Sequence, residues 1–121
     1  MKNQTYRMTM LFDFYGEILT ERQKELFDLY YNEDLSLAEI AENCGISRQG
    51  VRDGIVRAEN AMSELEEKTG LVRRFLQMQK RIEAIESDAQ EIRNINYRSH
   101  EDSQIDGLCG RILENAAALK E

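Results

Sequence analysis

The chain has no proline, no tryptophan, two cysteines and one histidine among its 121 residues. Without proline, nothing interrupts a long helix from within. Cys44, Cys109 and His100 stand far apart, so no disulfide framework or zinc-ligand spacing can be assembled from them. The sulfurs read instead as two small buried hydrophobes in a reducing cytoplasm. No stretch approaches the ~18 apolar residues that cross a bilayer. The opening MKNQTYRMTMLFDFYG has Asp13 inside a very short apolar run, which is not the pattern of a secretory signal. No segment alternates apolar and polar residues with the β-branched enrichment of a strand. A glycine-rich phosphate loop, which follows a strand, is excluded with it. No carboxylate pair stands out from a generally acidic background. The expectation is a chain that is not an enzyme, takes no metal or cofactor, and stays in the cytoplasm without membrane insertion.

What is present is helical periodicity. Leu11, Phe14, Tyr15 and Ile18 share one face of a helix expected over residues 5–18. Seven of the nine aromatics fall in the first 31 residues, which places the main core there. Thr20-Glu21-Arg22-Gln23 has the form of a capping box opening a helix with Leu26, Phe27 and Tyr30 inward. Ser36-Leu37-Ala38-Glu39 is a second capping box, and its helix ends at Cys44-Gly45. Ser47 caps the next helix, which runs to about Thr69-Gly70.

Residues 36–58, SLAEIAENCGISRQGVRDGIVRA, have helix-turn-helix spacing. Ala41 is small where two helices cross, and Gly45 supplies the positive φ of the tight turn. Ile40, Ile46, Val51 and Ile55 fill the wedge between the helices. Arg48, Gln49, Arg52 and Asp53 then project from the first turns of the second helix, the part that enters a major groove. Arg pairs with guanine and Gln with adenine edges there, while Arg57, further along, suits a phosphate. Gly50, Gly54, Ala58 and Ala61 form a smooth strip, either for a neighbouring helix of the same chain or for a second chain.

Charge constrains this reading. The chain carries 16 Lys+Arg and 23 Asp+Glu, a net of −7. Residues 1–69 hold 8 cations and 14 carboxylates, net −6, although the run 46–57 is +2. Non-specific nucleic-acid affinity comes from cations that neutralise phosphates, so a single acidic copy binds weakly and useful binding calls for a dimer, a partner or a good base match.

Residues 19–62, LTERQKELFDLYYNEDLSLAEIAENCGISRQGVRDGIVRAENAM, resemble region 4 of bacterial sigma factors, which reads the −35 promoter element. The whole chain, with its MTMLFDFYGEILTERQ start and acidic helical tail, is similar to the YlxM family of small helix-turn-helix proteins. The resemblance implies an all-α bundle with a sigma region 4-like motif of the winged-helix-like superfamily, and Arg48, Gln49 and Arg52 at the outward positions of the recognition helix. It further implies a DNA-binding regulator whose genes neighbour those of the signal recognition particle. DNA, the RNA of that particle and the protein-targeting machinery are thus the partners it points to. The alternative is a protein-interaction adaptor that reads no bases.

Beyond Gly70, Leu71, Phe75, Met78, Ile82, Ile85, Ala89 and Ile92 are spaced 4, 3, 4, 3, 4, 3, a heptad seam. Asn94 to Ser103 reads as a polar loop, and a last helix over 103–119 folds back as a hairpin. The expected organisation is residues 1–69 as the helix-turn-helix domain and 70–121 as a helical hairpin, whose seam either packs only on the last helix of the same chain or also pairs with a second chain in a homodimer. Phe75, Met78, Ile82 and Ile85 form its seam.

Overall fold

In a computed structural model, residues 5–120 are described. Six α-helices carry them: α1 (Thr5–Tyr15), α2 (Glu21–Phe27), α3 (Leu37–Cys44), α4 (Arg48–Thr69), α5 (Leu71–Ser99) and α6 (Ser103–Leu119). No strand occurs among the described residues, and the protein is all-α. None of these helices is long and apolar enough to cross a membrane. The chain divides into two compact units between Val72 and Arg73. Gly70 stops α4 in the left-handed conformation at φ 63°. The chain re-enters a helix at once, and Val72, buried, donates its amide to Glu66 Oε1 at 2.9 Å.

The first unit is built around α4, with α1, α2 and α3 packed against it. Both capping boxes form as the sequence predicts. The Thr20 and Ser36 side chains each accept the amide three residues on, while Gln23 and Glu39 reach back to the cap amides. Between α2 and α3 the helix widens into a π-helical turn, Asp28–Asn32. Widening lowers the rotation per residue, and two consecutive tyrosines, Tyr30 and Tyr31, are both buried. Phe12 stacks on Phe27 with centroids 4.7 Å apart, Phe27 meets Tyr31 at 4.5 Å, and Tyr30 meets Tyr31 edge-on at 5.0 Å. The rings are core, as their clustering implied.

The inward face of α1 needs correction. Leu11 and Tyr15 are buried, but Phe14 and Ile18 are exposed, and Met8 and Leu19 take their places. The cause is local. The α-helix ends at Tyr15 and Gly16–Ile18 tightens into a 3-10 turn, which advances more per residue and swings Ile18 outward. The sulfurs also differ from each other. Cys109 is buried, whereas Cys44 is half-buried and its thiol donates to Glu25 Oε1 at 3.1 Å. Burial, and then the Glu25 carboxylate, push that thiol above its ordinary pKa.

The second unit is an antiparallel hairpin of α5 and α6. The expected loop over 94–103 is helical as far as Ser99, and the turn is much shorter. Asn96 explains this. Its buried side chain donates to Asp102 O at 2.8 Å and accepts from Asp102 N at 2.9 Å, closing the turn. Asp102 then caps α6 by accepting from Gln104 N and Ile105 N. Lower in the hairpin, Arg93 Nε donates to Asp106 Oδ1 at 2.7 Å and Lys120 Nζ reaches Glu86 Oε1 at 3.0 Å. The covered side of α5 therefore runs through Ile82, Glu86, Ala89, Arg93 and Asn96. Polar members that are satisfied across the hairpin are invisible to a search for apolar spacing. Of the four seam residues named from the sequence, Ile82 is buried and Phe75 half-buried, while Met78 and Ile85 are exposed.

Two glycines differ in what a methyl group would meet. A Cβ on Gly54 of α4 would lie 2.5 Å from Leu26 Cδ1, and Leu26 is fully buried in α2. A Cβ on Gly107 of α6 meets nothing. Gly54→Ala is expected to destabilise the first unit by about 1–3 kcal/mol through overpacking. Gly107→Ala should stabilise the hairpin by about 1 kcal/mol through helix propensity. Urea denaturation followed by circular dichroism measures both, and a stabilising Gly54→Ala would contradict the packing.

Tyr31 supplies a pH test. Its hydroxyl donates to the Glu59 carboxylate. Burial, and then Glu59, hold its pKa well above the ordinary tyrosine value of 10.0. The fold thus retains the neutral phenol, so this contribution is complete below about pH 10 and is lost as pH rises past it. Unfolding titrations should show stability falling more steeply above pH 10 in the natural chain than in Tyr31→Phe. Parallel curves would contradict the assignment.

Candidate nucleic-acid interface

Three local devices shape the motif. Ser36 starts α3, and Gly45 ends it at φ 69° with its amide on Ala41 O. Ile46 also donates to Ala41 O, at 3.2 Å. Ser47 then accepts from Gly50 N at 3.0 Å and starts α4. The glycine matters because a left-handed residue reverses the chain in one step. Ile40, Val51 and Ile55 are fully buried between the helices, Ala41 is buried beside them, and Ile46 is half-buried.

The buried ridge of α4 decides which side chains face outward. Val51, Ile55, Ala58 and Met62 are each 0% exposed. At about 100° per residue, the direction opposite that ridge passes through Gln49, Asp53 and Asn60. Arg48 and Arg52 lie on one flank of this line and Arg57 on the other. All three arginines, with Gln49 and Asp53, are exposed. The glycine strip serves the chain's own interior: Gly54 fits against Leu26, Ala58 is buried, and a Cβ on Gly50 would lie 3.2 Å from Ser47 Oγ.

Arg48, Arg52 and Arg57 form no ion pair among the described residues, whereas Arg22, Lys24, Arg93, Arg98 and Lys120 all do. The outward cations of α4 are thus uncommitted. Asp53 is not: Gln49 Nε2 donates to Asp53 Oδ1 at 2.8 Å. This intrahelical pair leaves the Gln49 carbonyl and the second Asp53 oxygen as acceptors at the crest of the exposed face. A carboxylate at such a position can accept from cytosine N4. The four-residue separation of Gln49 and Asp53 was the signal for the pair.

A family model described as helix-turn-helix protein, YlxM / p13 like (UPF0122) matches residues 2–101. The chain belongs to this family. UPF0122 proteins at comparable identity occur in several bacteria. That of Acetivibrio thermocellus is 48% identical over 103 residues, covering 85% of this chain and 87% of its own length. That of Caldanaerobacter subterraneus is 49% identical over 85 residues, covering 70% and 73%. The Listeria innocua relative is 44% identical over 87 residues, covering 72% and 79%. In this UPF0122 chain the region that the family model matches includes the whole helix-turn-helix and all of α5.

The exposed face of α4 depends on its first turn staying wound. Ser47→Ala removes the cap and should cost about 1 kcal/mol, with faster amide exchange confined to the first turn of α4. Exchange unchanged there would show that the cap is not what holds Arg48 and Gln49 in place.

Proposed function

We infer that this protein binds duplex DNA through the first turns of α4 and acts as a regulator. The observation that carries the reading is the set of three exposed, uncommitted arginines flanking the Gln49–Asp53 crest. A helix seated in a major groove meets base edges along its crest and sugar-phosphate walls on either flank. In this arrangement Gln49 and Asp53 face bases, Arg48 and Arg52 face one wall and the nearby base edges, and Arg57 faces the other wall. The net charge of −7 makes the phosphate term small, so the reading includes two copies of the chain acting on one site. Through its family resemblance, the regulated process is protein targeting by the signal recognition particle, and the RNA of that particle is the competing nucleic acid.

The acidity of the first 69 residues, net −6, favours one other reading, an adaptor that grips a protein partner and reads no bases. Selection from mixed random DNA and RNA pools separates the two. A regulator enriches a duplex sequence, whereas an adaptor enriches none. On the selected duplex, Arg48→Ala/Arg52→Ala/Arg57→Ala should weaken binding and lower the slope of log affinity against log salt by roughly 2–3. Gln49→Ala should instead relax preference at one base position, by about 1–3 kcal/mol. Unchanged affinity and slope in the triple variant would refute the reading.

A further inference from the structure

The hairpin leaves one apolar side uncovered. Along α5, Leu71 is 45% exposed, Met78 52%, Ile85 50% and Ile92 48%, and on α6 Leu108, Ile112 and Leu119 are exposed as well. At about 100° per residue, these rows are rotated in the same sense, by roughly 50–70°, from the covered sides of their helices. For two antiparallel helices those directions fall on the same side of the hairpin. The result is a single apolar strip, and an unbroken strip of large side chains marks a surface that another protein covers.

The sequence of α5 says what covers it. The row Leu71, Met78, Ile85, Ile92 repeats every seven residues and is symmetric about the bond between Arg81 and Ile82. The charges invert about the same point: residues 71–81 carry four cations and no carboxylate, and residues 82–92 carry four carboxylates and no cation. A parallel mate would set like block against like. An antiparallel mate sets each block against its opposite, and i meets j as j meets i, as an isologous twofold contact requires. Arg81 and Asp88, both exposed on the edge of the row, form no ion pair within their own chain among the described residues.

The geometry points to a second copy of this chain as the occupant, with the two α5 helices antiparallel and the twofold axis at Arg81–Ile82. Met78 of each copy then meets Ile85 of the other, Leu71 meets Ile92, and Arg74 lies within about 1.5 Å of axial rise of Asp88. Arg81 is the exception, because it meets its own counterpart at the axis. The two starts of α5 lie about 32 Å apart along the pair, from 21 residues of helical rise. The pairing stands independently of the DNA-binding reading and is tested without nucleic acid.

Cysteine cross-linking tests the register, in a chain carrying Cys44→Ser and Cys109→Ala. Met78→Cys and Ile85→Cys are made separately, and both lie at exposed positions. Oxidation of the mixture should give disulfide-linked dimer at roughly tenfold the yield of either variant alone, because two copies of residue 78 stand ~10 Å apart along the axis, beyond disulfide reach. Light scattering should give twice the chain mass for the natural protein. Asp88→Arg should shift it toward monomer and Arg81→Leu toward dimer. Met78→Cys cross-linking to itself as well as in the mixture would establish a parallel pair and overturn the proposal. So would a monomeric mass at every concentration, which would leave the strip to a different protein. DNA affinity is read separately, so a chain that pairs as described but binds no duplex would refute the function and leave the pairing standing.

Discussion

Burial of one side of α4 governs the first unit. Val51, Ile55, Ala58 and Met62 are sealed against α1, α2 and α3, and Gly54 admits Leu26 at a distance that no side chain at position 54 would allow. Burying side chains of this kind stabilises by roughly 1.5–3 kcal/mol each. Rotating α4 by even one residue would forfeit most of that. The rotational setting of the helix is thereby fixed, and with it the exposure of Gln49, Asp53 and the three arginines. The outward face is a consequence of the inward one.

Electrostatics and packing pull in different directions here. The first unit is acidic, and an acidic body is repelled by a polyanion over a Debye length of about 8–10 Å. What favours contact is local: Arg48, Arg52 and Arg57 are exposed on α4, and none is spent on a carboxylate among the described residues. Asp53, the one carboxylate among them, is held by Gln49. On the proposed reading such a surface discriminates more than it attracts, because little of its affinity would come from phosphates alone. The proposed pairing through α5 would supply the missing strength by joining two weak contacts into one.

The parts of the fold legible from residues were those with local chemistry. Thr20, Ser36 and Ser47 as caps, and Gly45 and Gly70 as stops, depend on hydrogen bonds within four residues, and each stands where its spacing indicated. The wedge residues Ile40, Val51 and Ile55 were equally readable from periodicity. What escaped was set by backbone variants or by polar pairs across elements. A 3-10 turn moved Ile18 outward, a π-helical turn brought Tyr31 inward, and Asn96, Arg93 and Glu86 line the covered side of α5 because Asp102, Asp106 and Lys120 answer them. Apolar spacing cannot register a buried row that is half polar. In the candidate site the exposed positions were readable from the helical repeat. The Gln49–Asp53 bond was signalled only by its four-residue separation, one of several pairings open to each group.

The central claim is that the first turns of α4 are the surface that meets duplex DNA. It is tested most directly by recording backbone amide shifts of isotope-labelled protein during titration with a duplex selected from a random pool. The account predicts the largest changes over residues 47–57, with α1 and the outer surface of α2 unmoved. Changes concentrated elsewhere in the first unit, with residues 47–57 silent at low salt, would contradict it.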